Sequence, residues 1–176
     1  MEVEVEEECL KILALHQPVA QDLRYIVAIL KINRVLERVG DHAASIAKSA
    51  RALKGKSVPE WPAEMEEMAE QARHMMRKAF ASVIALDVDL AREVWNADDS
   101  VDELTGTVMR LLRDRLNEQD SRREAVMRAV TVVNLIERIA DNAANVAKDV
   151  LYCVLGEIVR HRGREFKHPP QAVQES

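Results

Sequence analysis

The block LERVGDHAASIAK at 36–48 returns one hundred residues later as IERIADNAANVAK at 136–148. Glu37, Arg38, Asp41, Ala43, Ala44, Ala47 and Lys48 stand opposite identical residues at 137, 138, 141, 143, 144, 147 and 148. The exchanges between the copies are mild, such as Leu36 to Ile136 and Val39 to Ile139. A fixed offset marks a duplicated supersecondary unit. Within each copy the apolar positions recur at three- and four-residue steps, which is the period of an amphipathic helix. Whatever this chain folds into must therefore accommodate the same helix twice.

The remaining punctuation divides the chain into five helices. Residues 1–16 carry Val5, Cys9, Ile12 and Leu13 at helical spacing, ended by His16-Gln17-Pro18, since proline disfavours helical geometry in the residue before it. Pro18 suits the first turn of the next helix, predicted over 18–53. KGKSVPEWP is the clearest loop. Helices follow over 63–86, 90–116 and 123–162, with a turn at Asp87 and Asp89 and a connection at NEQDSRRE. Residues 163–176 lose periodicity and are expected to be disordered. No segment reads as a strand. The expected fold class is all-α, a tandem of three-helix bundles. The C-terminal part of the first spans 1–54 and a complete second spans 60–162. The first helix has no cap, so the chain is expected to begin inside an element, with about one and a half helices of the first bundle missing upstream.

Composition narrows the function. Aromatic residues are 3% of the chain, too few for the stacking that binds single-stranded nucleic acid. The net charge of −5 disfavours a phosphate backbone as partner. The N-terminus MEVEVEEECL has neither a basic nor an apolar leader segment, and no run is long and apolar enough for a bilayer span. Cys9 and Cys153, without CxxC spacing, read as reduced thiols on helices of a cytosolic protein.

The repeated block carries an acid pair. Glu37 and Asp41 fall about 40° apart on a helical wheel, one turn up the same side, while Leu36, Val39, Ala43 and Ile46 point toward a core. Glu137 and Asp141 repeat the arrangement. Two carboxylates so placed repel unless a cation lies between them, and hard cations and iron accept such oxygen ligands. Acid pairs four apart also occur at Glu60/Glu64, Glu66/Glu70, Asp89/Glu93 and Asp120/Glu124, so spacing alone favours a solvated surface. Repetition of the whole block singles out the two pairs. Asp98 and Asp102 on the fourth helix have the same spacing, and in an antiparallel bundle they are expected beside Glu137 and Asp141. Arg38 and Arg138 are expected in ion pairs across helices. His42, replaced by Asn142 in the second copy, reads as a surface histidine, and His74 as a packed one beside Met75 and Met76. The Glu-x-x-His spacing of di-iron bundles occurs only at Glu165/His168, in the tail. No catalytic motif is present, and no catalytic or organic cofactor-binding residue is assigned.

LERVGD at 36–41 and IERIAD at 136–141, with HQPVAQDLR at 16–24, resemble the PhoU family of phosphate-uptake regulators. The resemblance covers about residues 1–162. It implies tandem three-helix bundles, each with an acid motif on its last helix and a partner acid motif on its middle helix. The last-helix motifs map to Glu37/Asp41 and Glu137/Asp141. The second bundle's middle-helix motif maps to Asp98/Asp102. It further implies a cytoplasmic homodimer, not an enzyme, that represses the phosphate-starvation response and phosphate uptake. Such a protein would couple a phosphate ABC transporter, through its ATPase subunit, to a sensor histidine kinase. It would stay peripheral to the membrane through those partners and contact no nucleic acid. Metal at the acid motifs, iron, zinc, magnesium or manganese, belongs to the same implication. Two rival expectations are a metal-binding accessory protein of a different, single-component phosphate carrier and a metal-binding scaffold without a signalling role.

Overall fold

The computed structural model describes residues 2–117 and 122–156. They form five helices, α1 (Glu2–His16), α2 (Ala20–Ala52), α3 (Ala63–Ala85), α4 (Val88–Asn117) and α5 (Arg123–Leu155), and no strand occurs among the described residues. The expected tail at 163–176 lies outside them.

Helix α5 is the axis of the fold. It packs against α2, α3 and α4, whereas α1 touches α2 alone. The reason lies in its side chains. A run of alanines and valines, including Val133, Ala140, Ala143, Ala144, Val146 and Ala147, is closed off from solvent around most of the helix. Small residues let neighbouring backbones approach closely on several sides at once. Helices α3 and α4 supply the opposing core with Met68, Met75, Val94, Val101, Val108 and Leu112, and α2 adds Ile32 and Val35. The α3–α4 hairpin turns at Leu86, which is left-handed (φ 52°), and Asp87 accepts bonds at 3.0 Å from the main-chain N–H groups of Asp89 and Leu90. This cap starts α4 at Val88, two residues before the expected position.

Polar contacts fix α2 antiparallel to α5. The Arg24 guanidinium donates to the Cys153 carbonyl (3.1 Å). Further along, Lys31 pairs with the buried Asp149 (3.0 Å) and lies 5.3 Å from the Tyr152 ring centre. At the far end Lys56 pairs with Glu124 at 2.8 Å. Pro59 and Pro62 are buried in the loop that follows α2, and Trp61 packs against the core, so the second half of this loop is held down while residues 54–58 are exposed.

Three expectations are corrected. Pro18 does not begin α2. Gln17 and Ala20 both take positive φ (45° and 49°) and Val19 is extended, so reversing direction between the two antiparallel helices delays α2 to Ala20. Helix α5 ends at Leu155, where Gly156 adopts φ 76° and its N–H closes back on the Tyr152 carbonyl, and the rest of its expected span, 157–162, lies outside the described residues. The third concerns the inward side of the repeat. Ile136, Ala143 and Val146 are buried, and Val39 and Ile46 pack against the core, but Leu36 is 46% exposed and Ala43 is open to solvent. The α2 block continues the face that α1 covers, and the Asn33 amide meets the Glu2 carbonyl (2.8 Å) at the far end of that cover.

Both cysteines are free and buried. Burial pushes the Cys9 thiol up, aided by Glu8, and burial pushes Cys153 up against the opposing charge of Arg24.

Candidate carboxylate site

The acid pairs occupy two different environments. On α2, Glu37 and Asp41 are exposed and stand on an open surface. On α5, Glu137 is half-buried while Asp141, one turn further, is exposed. Helix α4 runs antiparallel beside this stretch. Its Asp102 is exposed, and Asp98, one turn earlier on the same side, is half-buried. Glu137 registers their approach. Burial pushes its carboxyl above the ordinary glutamate range, the charges of Asp141 and Asp102 add to the rise, and Arg138 opposes it. Carboxylates from α4 and α5 therefore share one electrostatic neighbourhood.

The donor chemistry suits a hard cation or iron, since every candidate ligand is a carboxylate oxygen. The placement does not converge to the same degree. Among the described residues no three His, Cys, Asp or Glu side chains stand close enough together to hold a metal ion. The cluster is a region of concentrated negative charge rather than an assembled coordination sphere.

The raised Glu137 carboxyl has a consequence for stability. A carboxyl whose folded-state pKa exceeds its unfolded value binds protons more readily when folded, so it costs stability as pH rises through that window. In metal-free protein, Glu137→Gln is expected to raise Tm at pH 7 by about 2 °C. The gain should vanish as pH falls through the carboxylate range, where wild-type Glu137 is itself neutral. Thermal melts at pH 7 and pH 4 check both parts.

The other singled-out residues fall as follows. Arg38 and Arg138 are exposed, and neither enters an ion pair among the described residues, so the expected cross-helix pairs do not form. His42 is half-buried, and Asn142 in its place is buried. His74 is exposed rather than packed: consecutive helical residues point about 100° apart, so buried Met75 and Met76 turn it outward. Sequence reasoning passed over two features. Lys148 lies 5.5 Å from the ring centre of buried Trp95, while its counterpart Lys48 is exposed. Asp149 is buried and paired, while Ser49 stands in its place in the first copy. That departure from the repeat was the available signal.

Comparison with known proteins agrees with this architecture. The PhoU domain model matches residues 1–50 and 65–150. A phosphate-specific transport system accessory protein PhoU homolog of Pseudomonas putida is 38% identical over 93% of this chain. A PhoU homolog 1 of Thermotoga maritima is 31% identical over 88%. The chain spans 64% and 67% of their respective lengths. The crystal structure of PhoU from Pseudomonas aeruginosa superposes with a TM-score of 0.85 at 34% identity, covering 89% of this chain and 75% of that one. The phosphate transport system regulatory protein PhoU from Streptococcus pneumoniae gives 0.82 at 25% identity, covering 90% and 74%. With its duplicated acid-bearing helix and this helical arrangement, the chain belongs to the PhoU domain family.

Proposed function

We propose that this protein is an accessory regulator of phosphate transport that represses uptake and the phosphate-starvation response. It acts as a non-enzymatic cytoplasmic adaptor between a phosphate ABC transporter and a sensor histidine kinase. The observation that carries this reading is family membership, joined to relatives named as accessory proteins of a phosphate-specific transport system. The fold supports the adaptor role. It offers long rigid helix faces for partners to dock on, and no helix among the described residues is long and apolar enough to cross a membrane. Attachment to the membrane then runs through the transporter. The open side of α2, with Leu36 outward, supports self-association as a homodimer.

The reading includes a metal. Glu137 and Asp141 would offer two carboxylates to a divalent cation or iron, with Asp102 and Asp98 on α4 adding negative charge nearby. The ion would neutralise their mutual repulsion and could share its remaining positions with an anionic group of a partner. Glu37 and Asp41 would form a weaker, open site.

Alkaline phosphatase activity in phosphate-rich medium tests the regulator. Deletion of the host gene should raise it, and restoration of the gene should silence it. No change on deletion would leave the carboxylates as metal or scaffold chemistry and end the regulator reading.

A further inference from the structure

Helices α3 and α4 leave a groove on their outer side, away from α5. One end encloses about 340 Å³, with buried Met75 and half-buried Ala97 in its lining and exposed His74 beside them. The other end encloses about 220 Å³ and is polar, with Glu67 contributed by α3 and Glu103 by α4. Gln71 and Ser100 line both ends, and the Ser100 hydroxyl donates to the Gln71 side-chain oxygen (3.2 Å), tying the helices together at the middle. On the α4 wheel, Ala97, Ser100 and Leu104 lie on the side opposite Asp98 and Asp102, so this surface is separate from the carboxylate site.

The charge in the groove is unevenly balanced. Glu70 at the apolar end is matched by Arg73 and Arg77, and the Arg73 contact first of all holds its carboxyl below the usual range. Glu67 receives only the Gln71 amide (3.3 Å), and no ion pair among the described residues includes Glu67 or Glu103. Two carboxylates thus flank the polar end without a cation of their own.

We propose that this groove takes a helical segment of a partner protein carrying an arginine or lysine and, two turns away, a large apolar side chain. The cation fits between Glu67 and Glu103, and the apolar group covers Met75 and Ala97. Glu67 and Met75 stand eight residues apart on α3 and Glu103 and Ala97 six apart on α4, roughly 10 Å, which is the rise between positions i and i+7 of a helix. The inference rests on α3 and α4 alone. It needs no metal and stands apart from the phosphate-regulator reading.

The test uses the full chain and an alanine-based helical peptide of about 17 residues, long enough to hold its helix and carrying one Arg and one Leu seven apart. Backbone amide shifts should move at Gln71, His74, Ser100 and Glu103. Affinity should fall about fivefold or more in Glu67→Gln/Glu103→Gln, and again as salt rises, because the attraction is between exposed charges. Ala97→Phe should block the apolar end, and a peptide with Glu in place of Arg should not bind. Shifts confined to other surfaces, or equal affinity for the glutamine double variant with its helicity intact, would overturn the proposal.

Discussion

Ala143→Leu is expected to destabilise the protein by about 3 kcal/mol, while Ala43→Leu, the same exchange in the same block, changes stability by less than about 0.5 kcal/mol. Ala143 is 0% exposed, with Ala144 and Ala147 equally enclosed on α5. A leucine there must displace close-packed neighbours, and interiors at crystal-like density have no room to yield. Ala43 lies on the α2 face beyond the reach of α1 and is exposed. Leucine there projects into solvent, and its helix propensity nearly equals that of alanine. Denaturant unfolding at low protein concentration checks the pair, and the thermal counterpart for Ala143→Leu is a loss of about 10 °C. If Ala43→Leu proves as costly as Ala143→Leu, the α2 face is covered in solution, and the dependence of that cost on protein concentration shows whether a second copy covers it.

This asymmetry also marks what the sequence made legible. Helical spacing identified all five helices, and α3 ends within one residue of the expectation, because spacing is a local property. Burial is not local. LERVGDHAASIAK and IERIADNAANVAK have the same apolar pattern, and only the second is enclosed, because α3 and α4 pack against it while α1 stops short of the first. The end of α5 was readable: Gly156 is the residue that tolerates a left-handed cap, but Ile158 and Val159 continue the apolar period past it and draw the eye onward. The His74 reading failed for a geometric reason, since its sequence neighbours Met75 and Met76 are not its neighbours on the helix surface. For the acid pairs, spacing placed both carboxylates of each on one side of a helix. The contribution of Asp102 to Glu137 depends on the antiparallel register of α4 against α5, which core packing across the whole helix pair decides.

That register leads to the second large effect. Glu137→Gln/Asp141→Asn is expected to weaken binding of a divalent cation such as Mn²⁺ by about 30-fold or more, and Glu37→Gln/Asp41→Asn by less than about threefold. The two pairs have identical chemistry, so any difference must come from their surroundings. Around Glu137, partial burial lowers the effective dielectric and Asp102 adds a third negative charge, both of which raise the return from bringing in a cation. Around Glu37, both carboxylates are exposed to water, which already solvates them. Titration calorimetry at fixed pH measures each variant, and Asp102→Asn in wild-type background should fall between them, near tenfold. Equal losses from both pairs would mean that any two carboxylates one turn apart suffice and the α4 contribution is incidental. No loss from either would remove metal from the acid motifs altogether, leaving Glu137 as a carboxylate tolerated at a stability cost that Glu137→Gln relieves without affecting any bound ion.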